Sequence, residues 1–211
     1  MRRGRDSHVV TPTEVRDEWA ERSGEFSPAY YAHHGPNATS ELLRETLDER
    51  VGSAASVLEL GCSSGRHLAH LLANGYDDLH GIEVNEDARE VLAETYPDLG
   101  DEGSFHFEAV EEWIEGVETD RYDALYTVET LQHLHPDSEW VFAELVRITD
   151  SLLVTVEHDP EGSESEVLRI NDEFPLYHRD WSRIFTDLGL DEVAVKPAGR
   201  DTLRAFSPPD A

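Results

Sequence analysis

The stretch Val57-Leu-Glu-Leu-Gly-Cys-Ser-Ser-Gly65 decides the fold. The apolar run that ends at Leu60 predicts a short buried strand, and the two glycines that follow predict a tight loop. Leucines then recur at helical spacing from residue 68 to residue 72, until Asn74-Gly75 ends the pattern. Strand, glycine loop and helix in this order are typical of the first unit of a parallel sheet that holds a nucleotide.

The same alternation continues along the chain and predicts an α/β fold. Further strands are expected at residues 78–84, 104–110, 121–131 and 151–159, with helices between them, and a final pair at 191–197 and 201–208 is expected to form an antiparallel hairpin. Repeated strand-helix units give a mostly parallel sheet with helices on both faces. Ligands bind beyond the carboxyl ends of such strands. The loops after Leu60, Val84, Phe107, Val128 and Glu157 are therefore the expected functional edge.

Length and composition favour one α/β domain with an N-terminal extension. With 211 residues, we expect a helical extension over residues 1–52 and the sheet domain over residues 53–211. The single cysteine, Cys62, excludes an internal disulfide and fits a reducing compartment. No run reaches the roughly 18 apolar residues of a membrane span, so a cytoplasmic protein without membrane contact is expected. The oligomeric state is left open.

The charge balance is extreme and predicts a protein from a high-salt cytoplasm. The chain has 46 acidic and 17 basic residues, of which only Lys196 is a lysine, for a net charge of -29. Such a surface repels itself in ordinary buffer, whereas molar salt shortens the Debye length to about 3 Å and screens the repulsion. A disordered acidic segment is the alternative, but the acids alternate with well-patterned apolar runs. Salt adaptation alone could produce this charge, so the charge gives no firm exclusion of nucleic acid.

The glycine loop argues against a phosphate-bearing ligand. The dinucleotide pattern G-x-G-x-x-G fails at its second and third positions, which are Ser63 and Arg66, and no lysine follows Gly65 as a Walker A loop requires. Glu59, at the strand tip, would repel phosphate. S-adenosylmethionine carries a sulfonium and an ammonium group that favour nearby carboxylates, and it has no phosphate. Glu83, at the tip of the next strand, is placed to accept hydrogen bonds from two ribose hydroxyls.

The segments VLELGCSSGRHL, GIEVNEDA, FEAVEEW and YDALYTVETLQHLHPDS together resemble the class I S-adenosylmethionine-dependent methyltransferases of small-molecule-type architecture. The resemblance covers roughly residues 56–206. It implies a Rossmann-like seven-stranded sheet whose last strand is antiparallel, with an N-terminal helical lid. It also implies that the loop and its flanking strand tips hold the cofactor, with the methionine part near Glu59, Gly61, Cys62, Ser63 and Gly65, the ribose at Glu83, the adenine at Val84, and the methyl group near Thr127.

Two departures from the family pattern affect the expected cofactor contacts. Ser63 replaces the middle glycine of E-x-G-x-G-x-G, which a turn tolerates if the backbone there is not left-handed. In the third loop, where the family often has an acid at the adenine amine, the aligned residue is Ala109. The Val110 amide or Glu111 is the next choice for that contact, with Glu108 beside them.

The loop after the fourth strand is the expected site of chemistry. Methyl transfer from a sulfonium is an in-line displacement that needs alignment and exclusion of water rather than a covalent residue. For an amine or hydroxyl acceptor, His133 could act as a base, with Glu129 and His135 nearby; a histidine bonding a backbone carbonyl is an equal alternative. Paired histidines elsewhere lack the spacing of a metal site, so no metal is expected.

The N-terminal segment is expected to close over the cofactor. Helices are predicted at residues 13–22 and 39–50, and Tyr30, a candidate catalytic residue, is expected to face the acceptor with Tyr31 and His34, or else to pack beneath the lid. Acceptor contacts are also considered at Phe174, Tyr177, His178 and Arg179, after the fifth strand.

These observations favour a methyltransferase that uses S-adenosylmethionine on a small-molecule acceptor. The chain has no added RNA-binding module and no basic stripe, so nucleic acid is an unlikely partner. The alternatives are an RNA or protein methyltransferase and a non-catalytic S-adenosylmethionine-binding protein, with an NAD-dependent oxidoreductase as a distant third.

Overall fold

The computed structural model describes residues 10–159, 167–170 and 174–209, and within them a seven-stranded sheet organises the chain. Its order is β3-β2-β1-β4-β5-β9-β8, and a separate hairpin is formed by β6 and β7. The strands are β1 Val57–Leu60, β2 Leu79–Glu83, β3 Ser104–Phe107, β4 Tyr122–Val128, β5 Thr149–Glu157, β6 Val167–Ile170, β7 Phe174–Tyr177, β8 Asp191–Ala198 and β9 Asp201–Ser207.

The first five strands are parallel, and β9 is antiparallel to both of its neighbours, β5 and β8. The predicted Rossmann-like sheet with an antiparallel last strand is therefore confirmed. Across the sheet, β2 and β3 lie on one side of β1, whereas β4 and β5 lie on the other, so the strand order reverses next to β1. That reversal is the topological switch point at which open α/β sheets bind ligands, and it places the glycine loop at the centre of the sheet edge.

Helices cover both faces of the sheet. They are α1 Pro12–Ala20, α2 Pro28–His34, α3 Ala38–Arg50, α4 Arg66–Ala73, α5 Asp87–Thr95, α6 Pro97–Glu102, α7 Val110–Trp113, α8 Trp140–Ile148 and α9 Trp181–Asp187. Successive residues of a strand point to opposite faces. Accordingly Val57 joins the core that includes α3 and α4, whereas Leu58 joins the core of Phe142 and Phe185 on the other face. Each apolar layer is built from alternate residues of the same strands.

Several short elements were not predicted. The helix α2, the helix α6 and the β6–β7 hairpin are absent from the expected pattern. Pro97 does follow the end of α5, as predicted, but it also begins α6, because proline is well suited to the first turn of a helix, where its missing N–H needs no partner. Residues 160–166, 171–173 and the side chain of Phe174 lie outside the described residues.

The helix α3 begins one residue before the predicted range and ends with it, but it does not close over the cofactor edge. Its buried Leu43 and Leu47 pack in the same core as β1 and α4. At its end, Arg50 Nη2 donates a hydrogen bond to the Val193 carbonyl of β8 at 2.8 Å. The helix is therefore part of the sheet's cover, and only the part of the extension that precedes α3 can form a lid. The division at residues 52 and 53 stays a prediction.

Within the described ranges, no helix combines the length and the apolarity that crossing a membrane requires.

Candidate active site

A deep cleft opens at the carboxyl ends of β1, β2, β3 and β4, as the topology predicts. The cleft is open to solvent on one side, and residues from both the sheet and the N-terminal helices line it. Its floor consists of strand tips and their loops, and its roof is built by α1, α2 and the loop between them. The lining residues from the sheet side include Glu59–Ser63, Ile82–Asn85, Glu108–Glu111, Val128–Thr130 and His133–His135.

The glycine loop bends through three left-handed residues. Gly61, Ser63 and Gly65 have φ values of 71°, 50° and 81°. A Cβ on Gly61 would lie 2.3 Å from Thr130 Oγ1, so glycine is needed there for space as well as for conformation. The condition stated for a serine at this position, a backbone that is not left-handed, is not met. Its N–H donates to Glu83 Oε2 at 2.9 Å, and this bond holds the strained serine in place.

Glu59 and Glu83 both face the cleft with little exposure to solvent. Glu59 is 1% exposed, and the Tyr126 hydroxyl donates to its Oε2 at 3.0 Å. Burial raises the pKa of Glu59 to about 8, against the smaller effect of the Tyr126 bond. Burial also raises the pKa of Glu83, whose Oε1 accepts the Asn85 N–H at 2.9 Å. Few hydrogen bonds therefore stabilise the charged forms of the two carboxylates. A cationic ligand beside them would favour these charged forms.

The third loop contributes the three residues that were considered for the adenine. Ala109, Val110 and Glu111 all line the cleft, with Ala109 immediately before the first turn of α7. Glu111 Oε1 accepts a hydrogen bond from the Ser138 hydroxyl at 3.0 Å. Val84 also lines the cleft. This end of the cleft is thus mainly apolar, with one anchored carboxylate.

A buried carboxylate at the tip of β5 anchors the loop that follows β4. Glu157 is fully buried, and its Oε1 accepts the Thr127 hydroxyl at 2.8 Å and the backbone N–H groups of Thr130 and Leu131 at 3.1 and 3.0 Å. Its Oε2 accepts the Gln132 N–H at 3.2 Å. Thr127 is therefore occupied by Glu157 and is not among the cleft-lining residues. Glu157 lies at the predicted functional edge, but its anchoring role was not predicted from the sequence.

Arg179 anchors the same loop from outside the cleft. Its Nη1 and Nη2 donate to the Leu131 and Leu134 carbonyls at 3.1 and 2.7 Å, and its Nε pairs with Glu139 at 3.0 Å. The guanidinium group is thus fully engaged with the loop and is not one of the cleft-lining groups. The considered role of Arg179 in acceptor contact has no support in this arrangement.

His133 lies in the wall of the cleft, where the anchored loop holds it. Its Nδ1 is 3.3 Å from the Pro175 carbonyl of β7, and its ring centroid is 4.7 Å from that of Trp19 in α1. A carbonyl can only accept, so Nδ1 carries the proton and Nε2 carries the lone pair. Burial lowers the pKa of His133 to about 4. The imidazole is therefore neutral at physiological pH.

The roof places Tyr31, not Tyr30, in the cleft. Tyr31 lines the cleft beneath α2, and the Arg66 guanidinium lies 4.8 Å from its ring centroid. Tyr30 packs instead against the rings of Phe26 and His34, at centroid distances of 5.7 and 4.5 Å. The predicted catalytic position of Tyr30 is thus not supported, and His34 likewise does not line the cleft.

Arg66 and Trp19 line the cleft and were not identified from the sequence. Arg66 follows the glycine loop directly, as the first residue of α4, so its position at the loop could have indicated a role. Trp19 gives no comparable signal, because its contact with the β4 loop joins segments that are far apart in the chain. Among the described residues, no group of three or more His, Cys, Asp or Glu side chains is placed to hold a metal ion.

Comparison with known proteins identifies the class of enzyme. Residues 57–151 match a family model described as a methyltransferase domain. This segment runs from β1 into β5 and contains all of the sheet-side loops described above. No curated protein has a sequence similar enough to match.

Solved structures share the fold over nearly the whole chain. A Burkholderia thailandensis 1,6-didemethyltoxoflavin-N1-methyltransferase, solved with 1,6-didemethyltoxoflavin and S-adenosylhomocysteine, has a TM-score of 0.75 at 16% identity and covers 97% of this chain and 93% of its own. The magnesium protoporphyrin IX methyltransferase of Synechocystis PCC 6803, solved with S-adenosylhomocysteine, has a TM-score of 0.65 at 16% identity, with 93% and 99% covered.

A third neighbour comes from a complex with the Haloferax volcanii Trm112 methyltransferase activator, with a TM-score of 0.63 at 17% identity and coverage of 80% and 89%. The domain match and the shared fold agree with the predicted class, the S-adenosylmethionine-dependent methyltransferases: residues 57–151 match a methyltransferase domain, and two neighbours with this fold were solved with S-adenosylhomocysteine.

Proposed function

We propose that this methyltransferase modifies a nitrogen or oxygen nucleophile of a small molecule held inside the cleft. The observation that carries the proposal is the roof: Trp19 and Tyr31 line the cleft together with the strand tips and partly cover the space beside the β4 loop. Such cover reduces the access of water to the reacting groups and favours an acceptor that is small enough to enter whole. The 1,6-didemethyltoxoflavin bound by the Burkholderia neighbour is an acceptor of this size class.

We assign the cofactor to the half of the cleft formed by β1, β2 and β3. Glu83 would accept hydrogen bonds from the ribose hydroxyls through lone pairs that its backbone partners leave available. Glu59 would lie beside the methionine part of the cofactor. Arg66 would offer a cation to the carboxylate of that methionine part. Gly61, Cys62 and Ser63 would form the bed of the loop, with Gly65 closing it by capping α4 without lining the cleft.

The adenine would lie between Val84 and the third loop. Ala109 and Val110 supply apolar contact, while the Val110 amide and Glu111 are the groups that could bond its polar edge. S-adenosylmethionine supplies the transferable methyl group as part of a sulfonium, which needs no further activation by the protein. The residues of this chain therefore have to bind, orient and desolvate.

The acceptor would occupy the half of the cleft beside the β4 loop. In its neutral form His133 has an unprotonated Nε2, which lies 3.5 Å from the Gln132 amide nitrogen; by exchanging this contact, Nε2 would orient an acceptor N–H or O–H or take its proton. The Trp19 ring against His133 restricts the imidazole's rotation. Thr127 would act indirectly, by fixing Glu157 beneath the loop.

An RNA or protein acceptor is the second candidate, since one solved neighbour was crystallised with a methyltransferase activator. A macromolecule would need a positive approach to the cleft. Acids outnumber arginines among the lining residues, which are Glu59, Glu83, Glu108, Glu111 and Glu129 against Arg16, Arg22 and Arg66. This balance supports the small-molecule proposal.

The cofactor assignment is tested by titrating the protein in molar KCl with S-adenosylmethionine, S-adenosylhomocysteine and NAD. We expect binding of the first two and none of NAD. Glu83→Gln should weaken S-adenosylhomocysteine about 10- to 100-fold, the effect of losing charge-assisted hydrogen bonds. Glu94→Gln removes the same charge from an exposed position of α5 and should leave the affinity unchanged. Equal affinities for wild type and Glu83→Gln would show that the ribose lies elsewhere.

We also propose that the enzyme works in a high-salt cytoplasm, which the net charge of -29 supports. Circular dichroism at increasing KCl should show folding that is incomplete in dilute buffer and complete in molar salt. Full folding without added salt would refute this proposal.

A further inference from the structure

The acceptor half of the cleft ends in a group of charged residues that the proposed mechanism does not use. Glu129, at the tip of β4, lines the cleft, and its Oε2 accepts a hydrogen bond from Arg200 Nη2 at 2.9 Å. Arg200 lies in the turn between β8 and β9, and Asp201 follows it. We call Glu129, Arg200 and Asp201 the carboxylate corner.

The backbone of Glu129 is held in a strained conformation. Its φ is 48°, in the left-handed region, which costs a residue with a side chain about 1–2 kcal/mol. The strain persists because the Glu129 N–H is bonded to the Val156 carbonyl at 2.8 Å and because Glu157 holds the next three N–H groups. Strain of this kind is concentrated at functional sites, where the fixed geometry aims a side chain. Here the aimed group is the Glu129 carboxylate.

The corner brings two carboxyl groups to one guanidinium group. Asp201 is 7% exposed, and its carboxyl shares the Arg200 guanidinium with Glu129, at 3.7 Å from Arg200 Nε. Its Oδ1 is buried without a hydrogen-bond partner, with His158 Nδ1 at 3.9 Å. Burial and the Glu129 carboxylate raise the pKa of Asp201 to about 7. A hydrogen-bond donor or cation arriving from the cleft would therefore be attracted, and an anion would be repelled.

Aromatic rings form the walls next to this carboxylate. Tyr31 lines the cleft from the roof, and burial together with the Glu129 carboxylate raises the pKa of its hydroxyl. The Trp19 and His133 rings lie on the same side of the cleft, in contact with each other. Flat, apolar walls with one carboxylate at the end suit a planar ring that carries an N–H group.

We propose that Glu129 determines acceptor specificity, and that the acceptor is a planar nitrogen compound that presents an N–H group to this carboxylate. The inference rests on the proposed function. Carboxylic and phosphoric acids would be disfavoured, because Arg200, the cation of the corner, is already paired with Glu129. Arg200 competes with the acceptor for Glu129 and is exposed enough, at 66% of its side chain, to move aside.

Three matched aromatic probes test this proposal: benzamidine, a planar cation with N–H donors; benzamide, its neutral analogue; and benzoate, the anion. Each is titrated into the protein saturated with S-adenosylhomocysteine, at the lowest KCl concentration that gives full folding. The proteins are wild type, Glu129→Gln, Arg200→Gln and the exposed control Glu118→Gln. Thermal melting checks that each variant folds.

We expect benzamidine to bind most tightly, benzamide more weakly and benzoate not at all. Glu129→Gln should weaken benzamidine about 10- to 100-fold, because a charge-assisted bidentate contact is lost, and should leave S-adenosylhomocysteine affinity unchanged. Arg200→Gln should strengthen benzamidine binding, because the competing cation is gone. Glu118→Gln should match wild type.

The outcomes separate the two proposals. If wild type fails to bind S-adenosylhomocysteine, the proposed cofactor site is wrong. If that ligand binds but benzamidine is absent from the cleft, or binds equally to wild type and Glu129→Gln, the proposed role of Glu129 is wrong. Binding of benzoate in preference to benzamidine would also overturn it.

Discussion

Replacing Glu157 by alanine should be among the most destabilising single changes in the chain. The carboxylate accepts four hydrogen bonds, from the Thr127 hydroxyl and from the N–H groups of Thr130, Leu131 and Gln132, while it is itself fully buried. These bonds join β4, β5 and the loop that carries His133. Few other side chains connect so many parts of the candidate site.

The size of the effect follows from the donors that would remain. Leaving a buried donor without a partner costs about 1–3 kcal/mol, and the Glu157→Ala variant leaves four. Part of this cost is offset because the buried charge disappears and because water from the cleft can reach some donors. We expect a net loss of about 4 kcal/mol, a large fraction of the ~5–15 kcal/mol that stabilises a typical domain.

Glu157→Gln gives a graded comparison. The amide oxygen can take the place of Oε1 with its three donors, while the amide NH₂ would face the Gln132 N–H and lose only that bond. We therefore expect a loss of about 1–2 kcal/mol, near the value of one hydrogen bond to a charged group. The two variants should thus differ by about 2–3 kcal/mol.

The measurement is urea denaturation followed by tryptophan fluorescence, in molar KCl at pH 8. Burial raises the pKa of Glu157 to about 7, so at pH 8 the group is ionised and accepts all four bonds. Glu115→Ala, at an exposed position, serves as the control and should change stability little. A loss below about 0.5 kcal/mol for Glu157→Ala would refute the proposed anchoring network.

Other predictions follow from the loop and the buried titratable groups. Gly61→Ala should destabilise by about 2 kcal/mol or more in thermal melting, because its Cβ would lie 2.3 Å from Thr130 Oγ1 and φ is 71°. Ser63→Gly should raise the stability by up to about 1 kcal/mol, since glycine tolerates the left-handed φ of 50°; a loss in the same assay would contradict this. Glu59, whose pKa is about 8, should release protons when S-adenosylmethionine binds at pH 7.5, which calorimetry in buffers of different ionisation enthalpy detects and Glu59→Gln should abolish. Burial lowers the pKa of His133 to about 4, so the stability that the neutral imidazole contributes is present above pH 6.5 and is lost as the pH falls through 4. His133→Gln should make the free energy of unfolding fall less steeply with acid pH. An identical pH profile of stability for the variant and the wild type would contradict the prediction.

The fold and the cofactor end of the site could be predicted because their signals are local. Alternating apolar runs specify strands and helices, and the parallel order brings the strand tips to one edge. Glu83 is the last residue of β2 and Glu59 the last but one of β1, so their place in the cleft follows from the topology. The left-handed Ser63 was not foreseen, because the bond that holds it comes from Glu83, 20 residues further along.

The acceptor end could not be predicted because distant contacts determine it. Arg200 reaches Glu129 across 71 residues, and Arg179 reaches the Leu131 carbonyl across 48. Tyr30 and Tyr31 are adjacent in the sequence, and the rotation of the short helix α2 decides which one enters the cleft. No periodicity in a seven-residue helix without a clear apolar stripe fixes that rotation.

In a chain with 46 acidic residues, composition alone cannot distinguish functional carboxylates from solvated ones. Hydrogen bonding and burial distinguish the two kinds of carboxylate. An acid that serves only to hydrate a charged surface must remain in water, because a desolvated carboxylate is costly unless it is bonded. Glu157 is buried and Glu83 is half-buried, both accept backbone N–H groups, and Glu129 lines the cleft with a strained backbone. Conversion to glutamine should therefore be tolerated at most surface acids in molar salt, whereas at these three positions it should impair cofactor binding, loop stability and acceptor binding respectively.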